Sequence, residues 1–153
     1  MGPVARRPVA WVAAIVLFAE ALGIAFLNWF LGLVVDNQKM SLAGLDPRAM
    51  TIGAWVAGGV FGLYLVLCAV VLLRTAITDR GPGGFGRILL ISVAVVHGLL
   101  GAFVIGPAGW FAFLAMMVVL GLVVLTLVAY DRRENAPANG APGPASPPAP
   151  TTP

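Results

Sequence analysis

The chain has 153 residues, of which 60% are hydrophobic and 10% are charged, and its formal net charge is +3. A soluble domain carries about 25% charged residues because its surface faces water, so this composition excludes an ordinary soluble globule and predicts an integral membrane protein. No basic face lies outside the apolar segments, which argues against nucleic acid as a partner, and the single cysteine, Cys68, excludes intrachain disulfides and cysteine-based zinc sites.

The first apolar segment covers residues 9–35 and follows an N-terminus, 1–8, that contains Arg6 and Arg7. The apolar part of a signal peptide has about 7–15 residues and ends at a small-residue cleavage site. This segment is longer and ends in bulky side chains, so it predicts a retained transmembrane helix, TM1. A helix of this length rises roughly 40 Å, more than a hydrocarbon core of about 30 Å, and should be tilted.

A polar outer loop, 36–48, precedes the second apolar segment, TM2, at 49–73. Asp46 and Pro47 near the end of this loop are a helix-start signal, because Asp caps free amides and Pro suits the first helical position. A cytoplasmic loop, 74–87, follows TM2. Its residues 81–86 match the pattern G-x-G-x-x-G, but a dinucleotide site needs a strand before it and a soluble βαβ unit around it. The match is rejected, and the segment is interpreted as a turn.

The last two apolar segments, TM3 at 88–105 and TM4 at 110–130, are separated by a short outer turn at 106–109. So short a connection favours an antiparallel hairpin. The tail, 131–153, holds seven of the chain's twelve prolines and almost no apolar residue, which predicts disorder. It is either a solvated end or an extended polyproline II ligand for a partner.

These segments predict an all-α polytopic membrane protein, a four-transmembrane-helix bundle with a disordered C-terminal tail. Basic residues indicate its orientation, since cytoplasmic flanks are enriched in Lys and Arg. One side would carry seven of them: Arg6, Arg7, Arg74, Arg80, Arg87, Arg132 and Arg133. The other side would carry Lys39 and Arg48. Both termini are therefore predicted on the cytoplasmic side of the cell membrane.

Aromatic residues fall near the predicted membrane boundaries, where aromatic belts form. Trp29, Trp55 and Trp110 lie near the outer boundary, and Trp11 and Tyr130 lie near the inner one. Their positions agree with the predicted spans.

Glu20, His97 and Tyr64 are polar residues inside three different predicted spans. A charged side chain at the centre of a span costs about 2.5–3.5 kcal/mol, so Glu20 should face the bundle interior rather than lipid. At 1.5 Å per residue, the three side chains lie roughly 16, 13 and 15 Å above the inner ends of their spans. The sequence therefore predicts a Glu20–His97 hydrogen bond or ion pair, with Tyr64 as a third member at the same depth.

Three interpretations of this cluster stay open from the sequence. Polar side chains fasten helices together in membranes for about 0.6–2 kcal/mol, a proton relay or substrate site uses the same residue types, and the three residues could also make no contact. The segment from Ala19 to Gly23 resembles the Ala-Glu-x-x-Gly pattern in the first helix of the small multidrug resistance transporters, which are also short four-helix proteins. The resemblance implies that Glu20 exchanges protons and cationic drugs. The chain departs from that family in its longer first loop, its Pro-rich tail and its third helix.

Small residues at helical spacing form two ridges that would allow close helix approach. The first ridge is Ala54, Gly58 and Gly62, and the second is Ala94, Gly98 and Ala102. They pack the bundle internally or mediate self-association.

The residues predict no enzyme: the chain has no nucleophile–base pattern, no metal-ligand cluster and no cofactor motif. The preference for Arg over Lys, with abundant Ala, Gly and Pro, resembles small four-helix integral membrane proteins of actinobacteria. The leading functional hypothesis is a structural or protein-interaction role in the bacterial cell membrane, in envelope or cell-division assembly. The alternative is a small proton-coupled transporter or channel that uses Glu20 and His97.

Overall fold

The computed structural model describes residues 6–39 and 44–134, with side chains as far as Asp131. The described residues form three α-helices and no strand: α1 (Arg6–Gln38), α2 (Pro47–Thr78) and α3 (Gly84–Glu134). Each of the three is long and apolar enough to cross a membrane. The all-helical membrane-type fold expected from the composition is thus present.

The helices extend beyond the predicted spans, because a helix satisfies its own main-chain hydrogen bonds in water as well as in lipid. At the start of α2, the Asp46 carboxylate accepts a hydrogen bond from the Arg48 amide at 2.7 Å, and Pro47 occupies the first turn. At its end, Asp79 adopts the left-handed conformation, with φ 50°. The cytoplasmic loop predicted at 74–87 is therefore non-helical only between Thr78 and Gly84.

The third helix folds back on itself at Gly109, whose φ of 75° and ψ of −174° interrupt the helical geometry. Arg87 Nη1 lies 2.8 Å from Asp131 Oδ1, although 44 positions separate them. A straight helix would place them roughly 66 Å apart, so the two halves of α3 run antiparallel. Glycine has no Cβ and adopts a positive φ readily, which explains how one residue reverses the chain.

The predicted four separate helices are not confirmed: the described residues form three helices, the third made of two antiparallel halves. The predicted four-residue turn at 106–109, which includes Pro107, lies inside α3, and Gly109 is its non-helical residue. The predicted disordered tail begins with four helical residues, 131–134. The rest of that prediction, at 135–153, lies outside the described residues, as do 1–5 and 40–43.

Small side chains build the closest helix contacts, and the first predicted ridge lies in the α1–α2 interface. Gly58 packs directly against the Asn28 side chain, and a methyl group on Gly62 would lie 3.4 Å from the Ala21 carbonyl oxygen. Ala54, at the end of this ridge, is half-buried. Close backbone approach of this kind is what small residues permit in membrane helices.

The second predicted ridge is packed at one end. Ala94 is buried, but Ala102 is exposed and the space beside Gly98 is open. Gly101 instead forms the contact between the two halves of α3, because a methyl group there would lie 2.6 Å from Met117 Cε. The residue that packs, Gly101, is therefore one position before Ala102, the last residue of the predicted ridge.

All four tryptophans are exposed over at least two fifths of their surface, and Trp55 also packs against Gly32 and donates a hydrogen bond to the Trp29 carbonyl at 3.2 Å. Tyr130 differs, because only 1% of it is exposed and it packs with Ala10 and Ala76. Tyr130 therefore joins the ends of the three helices inside the protein.

Candidate functional site

Glu20 of α1 and His97 of α3 meet inside the protein. His97 Nε2 lies 3.1 Å from Glu20 Oε1 and 3.0 Å from Oε2. The side chains are 1% exposed for His97 and 15% exposed for Glu20. The structure therefore brings together the carboxylate and the imidazole that the depth argument placed at one level.

The second ring nitrogen of His97 fixes the proton balance of this pair. His97 Nδ1 lies 2.8 Å from the Val93 carbonyl oxygen, and a carbonyl can only accept, so Nδ1 carries a proton and donates it. Nε2 and the Glu20 carboxyl group then share one further proton. It belongs either to an imidazolium beside a carboxylate or to a carboxylic acid beside a neutral imidazole. Both arrangements have zero net charge, which is the condition under which ionisable groups are tolerated inside a membrane.

Helical spacing explains why both residues point inward. On α1 the buried stripe includes Ala13, Leu17 and Ala21, and Glu20 lies at its edge, half-buried. On α3 the buried stripe runs through Leu90, Val93, Ala94 and His97. Steps of three and four residues return to the same helix face. His97 is therefore a member of the core face of its helix.

Tyr64 does not share this arrangement, and its hydroxyl lies 2.7 Å from Ser92 Oγ. Ser92 donates its own proton to the Leu89 carbonyl at 2.8 Å, so Tyr64 is the donor between the two hydroxyls. Ser92 precedes His97 by five positions, roughly 140° around the helix. The predicted three-residue cluster is thus two separate links, Glu20–His97 between α1 and α3 and Tyr64–Ser92 between α2 and α3.

Ser92 was missed from the sequence, because a serine in a membrane span usually bonds to its own helix. The signal available was depth, since Ser92 and Tyr64 both lie in the half of their predicted spans that is nearer the arginine-rich end. Depth alone does not identify the helix face, and this contact depends on the face.

At the arginine-rich end, side chains tie the helix termini together. Arg7 donates to the carbonyl oxygens of Ala76 at 3.1 Å and Ile77 at 3.2 Å, near the end of α2. The last carbonyls of a helix have no intrahelical donor, so the guanidinium satisfies them. The Tyr130 hydroxyl donates to the Thr75 carbonyl at 3.4 Å and lies 3.3 Å from Asp79 Oδ1.

Beside these contacts lies a cavity of about 390 Å³, between the end of α2 and the start of α3. Its lining includes Arg74, Arg80 and Phe85. Within residues 6–39 and 44–134, no group of three or more His, Cys, Asp or Glu side chains could hold a metal ion. The Glu20–His97 pair and this arginine-lined cavity are thus the two candidate sites considered below.

The fold defines a helical protein of the membrane-spanning type, with three helices that could cross a bilayer by length and composition. Comparison with known proteins finds no matching protein-family model, no matching curated protein and no matching solved structure. Its function must therefore be inferred from its own residues.

Proposed function

We propose that the chain is a multi-pass protein of the bacterial cell membrane with a structural or protein-interaction role, in envelope or cell-division assembly, and that it is not an enzyme. Its partners would be other membrane proteins or further copies of itself, within the lipid bilayer. No cofactor is part of this proposal.

The proposal includes four membrane crossings, two of them made by α3. The chain reversal at Gly109 and the Arg87–Asp131 contact support this count. Each half of α3, 84–108 and 110–134, would rise roughly 37 Å, enough for a hydrocarbon core of about 30 Å. The first two crossings are those of α1 and α2.

Both termini are proposed to lie in the cytoplasm. The Arg7 contact with the end of α2 and the Arg87 contact with Asp131 support a shared end for these basic residues. Lys39 directly follows α1 and Arg48 lies in the first turn of α2, so both are at the opposite ends of these helices. Cytoplasmic enrichment of Arg and Lys then supports the inward direction.

The observation that supports the structural role best is that the Glu20–His97 pair is buried and has its hydrogen bonds satisfied within the protein. Each His97 ring nitrogen has a protein partner within 3.1 Å, and the ring is 1% exposed. Such a pair fastens α1 to α3, as polar side chains do between membrane helices for about 0.6–2 kcal/mol. A bundle held in this way offers its outer helix faces for assembly.

Co-purification tests the proposal. The full-length protein would be solubilised in a mild detergent from its native membrane, and retained proteins would be identified by mass spectrometry. We expect defined membrane partners or self-association, retained by Glu20→Gln because the outer helix faces do not contain Glu20. Recovery of the chain as a monomer without partners would contradict the interaction role.

A proton-coupled transporter or channel is the second candidate, favoured by the single proton shared between Glu20 and His97 within the span. The Ala19–Gly23 resemblance to the small multidrug resistance transporters supports the same reading of Glu20. Purified protein in vesicles with a pH gradient would then take up a cationic dye, and Glu20→Gln would abolish uptake without loss of folding. Equal uptake by the wild-type protein and Glu20→Gln would exclude this candidate.

A further inference from the structure

The basic cavity between α2 and α3 is distinct from the Glu20–His97 pair. It has a volume of about 390 Å³, and its lining includes Val71, Arg74, Arg80, Phe85 and Gly86. Its size falls within the range of small-molecule sites, about 300–1,000 Å³. We propose that this cavity, defined here as the basic cavity, binds the phosphate group of an anionic phospholipid through Arg74 and Arg80.

Charge is the first argument for this ligand. Arg7 is engaged with main-chain carbonyls and Arg87 with Asp131. Among the described residues, Arg74 and Arg80 form no hydrogen bond or ion pair through their side chains, and both are exposed. Two guanidinium groups on the wall of one cavity suit a phosphate, because arginine binds its oxygens in a bidentate manner.

The composition of the wall is the second argument, and it favours a lipid over a free phosphate ester. Phe85 is 76% exposed, and Val71 lies on the apolar length of α2. An amphipathic ligand would place its phosphate on the arginines and its acyl and glycerol part on these apolar side chains. Basic pockets between membrane helices bind anionic head groups in this way.

Backbone geometry brings the two walls together. A methyl group on Gly86 would lie 2.9 Å from Val71 Cγ1, so the absence of a side chain at 86 lets the start of α3 approach α2. Phe85 and Gly86 also belong to the first turn of α3, where main-chain N–H groups have no intrahelical acceptor. These groups add donors to a site that the arginines already define.

The proposal rests on the membrane placement described under "Proposed function", and it requires neither a partner protein nor a particular orientation. Full-length protein in a zwitterionic detergent would be titrated with phosphatidylglycerol or phosphatidylcholine, and bound lipid counted by native mass spectrometry. We expect preferential retention of phosphatidylglycerol. The double substitution Arg74→Gln with Arg80→Gln should raise its Kd about tenfold.

Arg48→Gln is the control for the single variants Arg74→Gln and Arg80→Gln, because each of the three removes one basic charge and Arg48 lies at the opposite end of α2. It should leave the Kd for phosphatidylglycerol unchanged. Equal binding by the double variant and the wild-type protein, or an equal weakening by Arg48→Gln, would overturn the proposal. Arg74→Lys with Arg80→Lys keeps the charge and should give a smaller loss, and thermal unfolding without lipid would verify that all variants fold.

Soluble ligands separate the two sources of phosphate. Glycerol 3-phosphate and inorganic phosphate, each at millimolar concentration, should displace little phosphatidylglycerol. Binding of glycerol 3-phosphate through Arg74 and Arg80, together with no preference for phosphatidylglycerol, would overturn the lipid assignment and identify a site for a soluble phosphate ester. If the co-purification experiment recovered no partner protein, the lipid result would be unaffected. The two proposals can therefore be contradicted independently.

Discussion

His97 Nε2 lies 3.0 Å from Glu20 Oε2, although 77 positions separate the two residues in the chain. The contact joins α1 to α3 and places one carboxyl group and one imidazole in a neutral arrangement. It also explains how a helix with a glutamate in its apolar stretch remains compatible with a bilayer, because the costly charge is compensated inside the protein.

Combined substitution should reveal direct coupling between Glu20 and His97. We expect Glu20→Gln and His97→Ala each to lower the free energy of unfolding, and the double variant to lose less than the sum by about 0.6–2 kcal/mol, because the interaction can be lost only once. Unfolding in mixed detergent micelles would measure all four proteins. Glu20→Gln with Tyr64→Phe is the control and should be additive, since Tyr64 is bonded to Ser92. Strict additivity for Glu20 and His97 would contradict direct pairing.

Two adjacent glycines of α2 should respond differently to the same substitution. Gly58 packs against the Asn28 side chain, whereas a methyl group on Gly59 would have nothing within 4 Å. We expect Gly58→Ala to separate α1 from α2 and to cost about 1–3 kcal/mol, the usual range for overpacking. Gly59→Ala should cost nothing measurable. Thermal unfolding in detergent compares them, and equal losses would show that α1 does not approach α2 at Gly58.

Thiol accessibility should establish how often α3 crosses the membrane. In a Cys68→Ala background, cysteine would be placed at Ala108, beside the break, or at Gly84, at the start of α3. Four crossings with both termini in the cytoplasm, as proposed, would place the Gly109 end outside the cell, so a membrane-impermeant maleimide should label Ala108→Cys in intact cells. Gly84→Cys should react only after permeabilisation. Both sites are exposed, and labelling of the two from the same side would exclude a double crossing by α3.

The apolar runs were sufficient to predict an all-helical fold, because runs of about twenty predominantly apolar residues have few other stable states. Helix ends were less predictable. Arg74 ends the apolar run but not α2, which continues to Thr78, because hydropathy marks the edge of the lipid and not the end of the hydrogen bonding. The sequence predicted a turn at 106–109. It did not predict that a single residue, Gly109, would interrupt the helix, because this depends on the φ angle and hydropathy carries no information on φ.

The sequence predicted the depth of the polar residues along their helices but not the helix face on which each one lies. Counting residues from the inner ends of the predicted spans placed Glu20, His97 and Tyr64 at one level, and Glu20 and His97 do meet. Tyr64 faces Ser92 because helix rotation, which is set by packing, places it on another side of the bundle. The basic cavity could not be predicted. Arg74 and Arg80 were interpreted only as orientation signals, and they line one cavity because the start of α3 packs close to the end of α2.

Tyr130 provides a last prediction, because it packs at the junction of the helix ends instead of facing lipid. It is 1% exposed, and its hydroxyl donates to the Thr75 carbonyl at 3.4 Å. We expect Tyr130→Phe to lower the free energy of unfolding by about 1 kcal/mol, the net value of one hydrogen bond. Tyr130→Ala should cost about 3 kcal/mol or more, because it also leaves a cavity.

Phe111→Ala is the matched control, since Phe111 is a 90% exposed aromatic residue of the same helix. It should change stability by less than about 0.5 kcal/mol, as exposed substitutions usually do. Unfolding in detergent would measure the three variants against the wild-type protein. If Tyr130→Ala and Phe111→Ala lost the same stability, Tyr130 would face lipid as an interfacial aromatic, and the second half of α3 would not be docked against the end of α2.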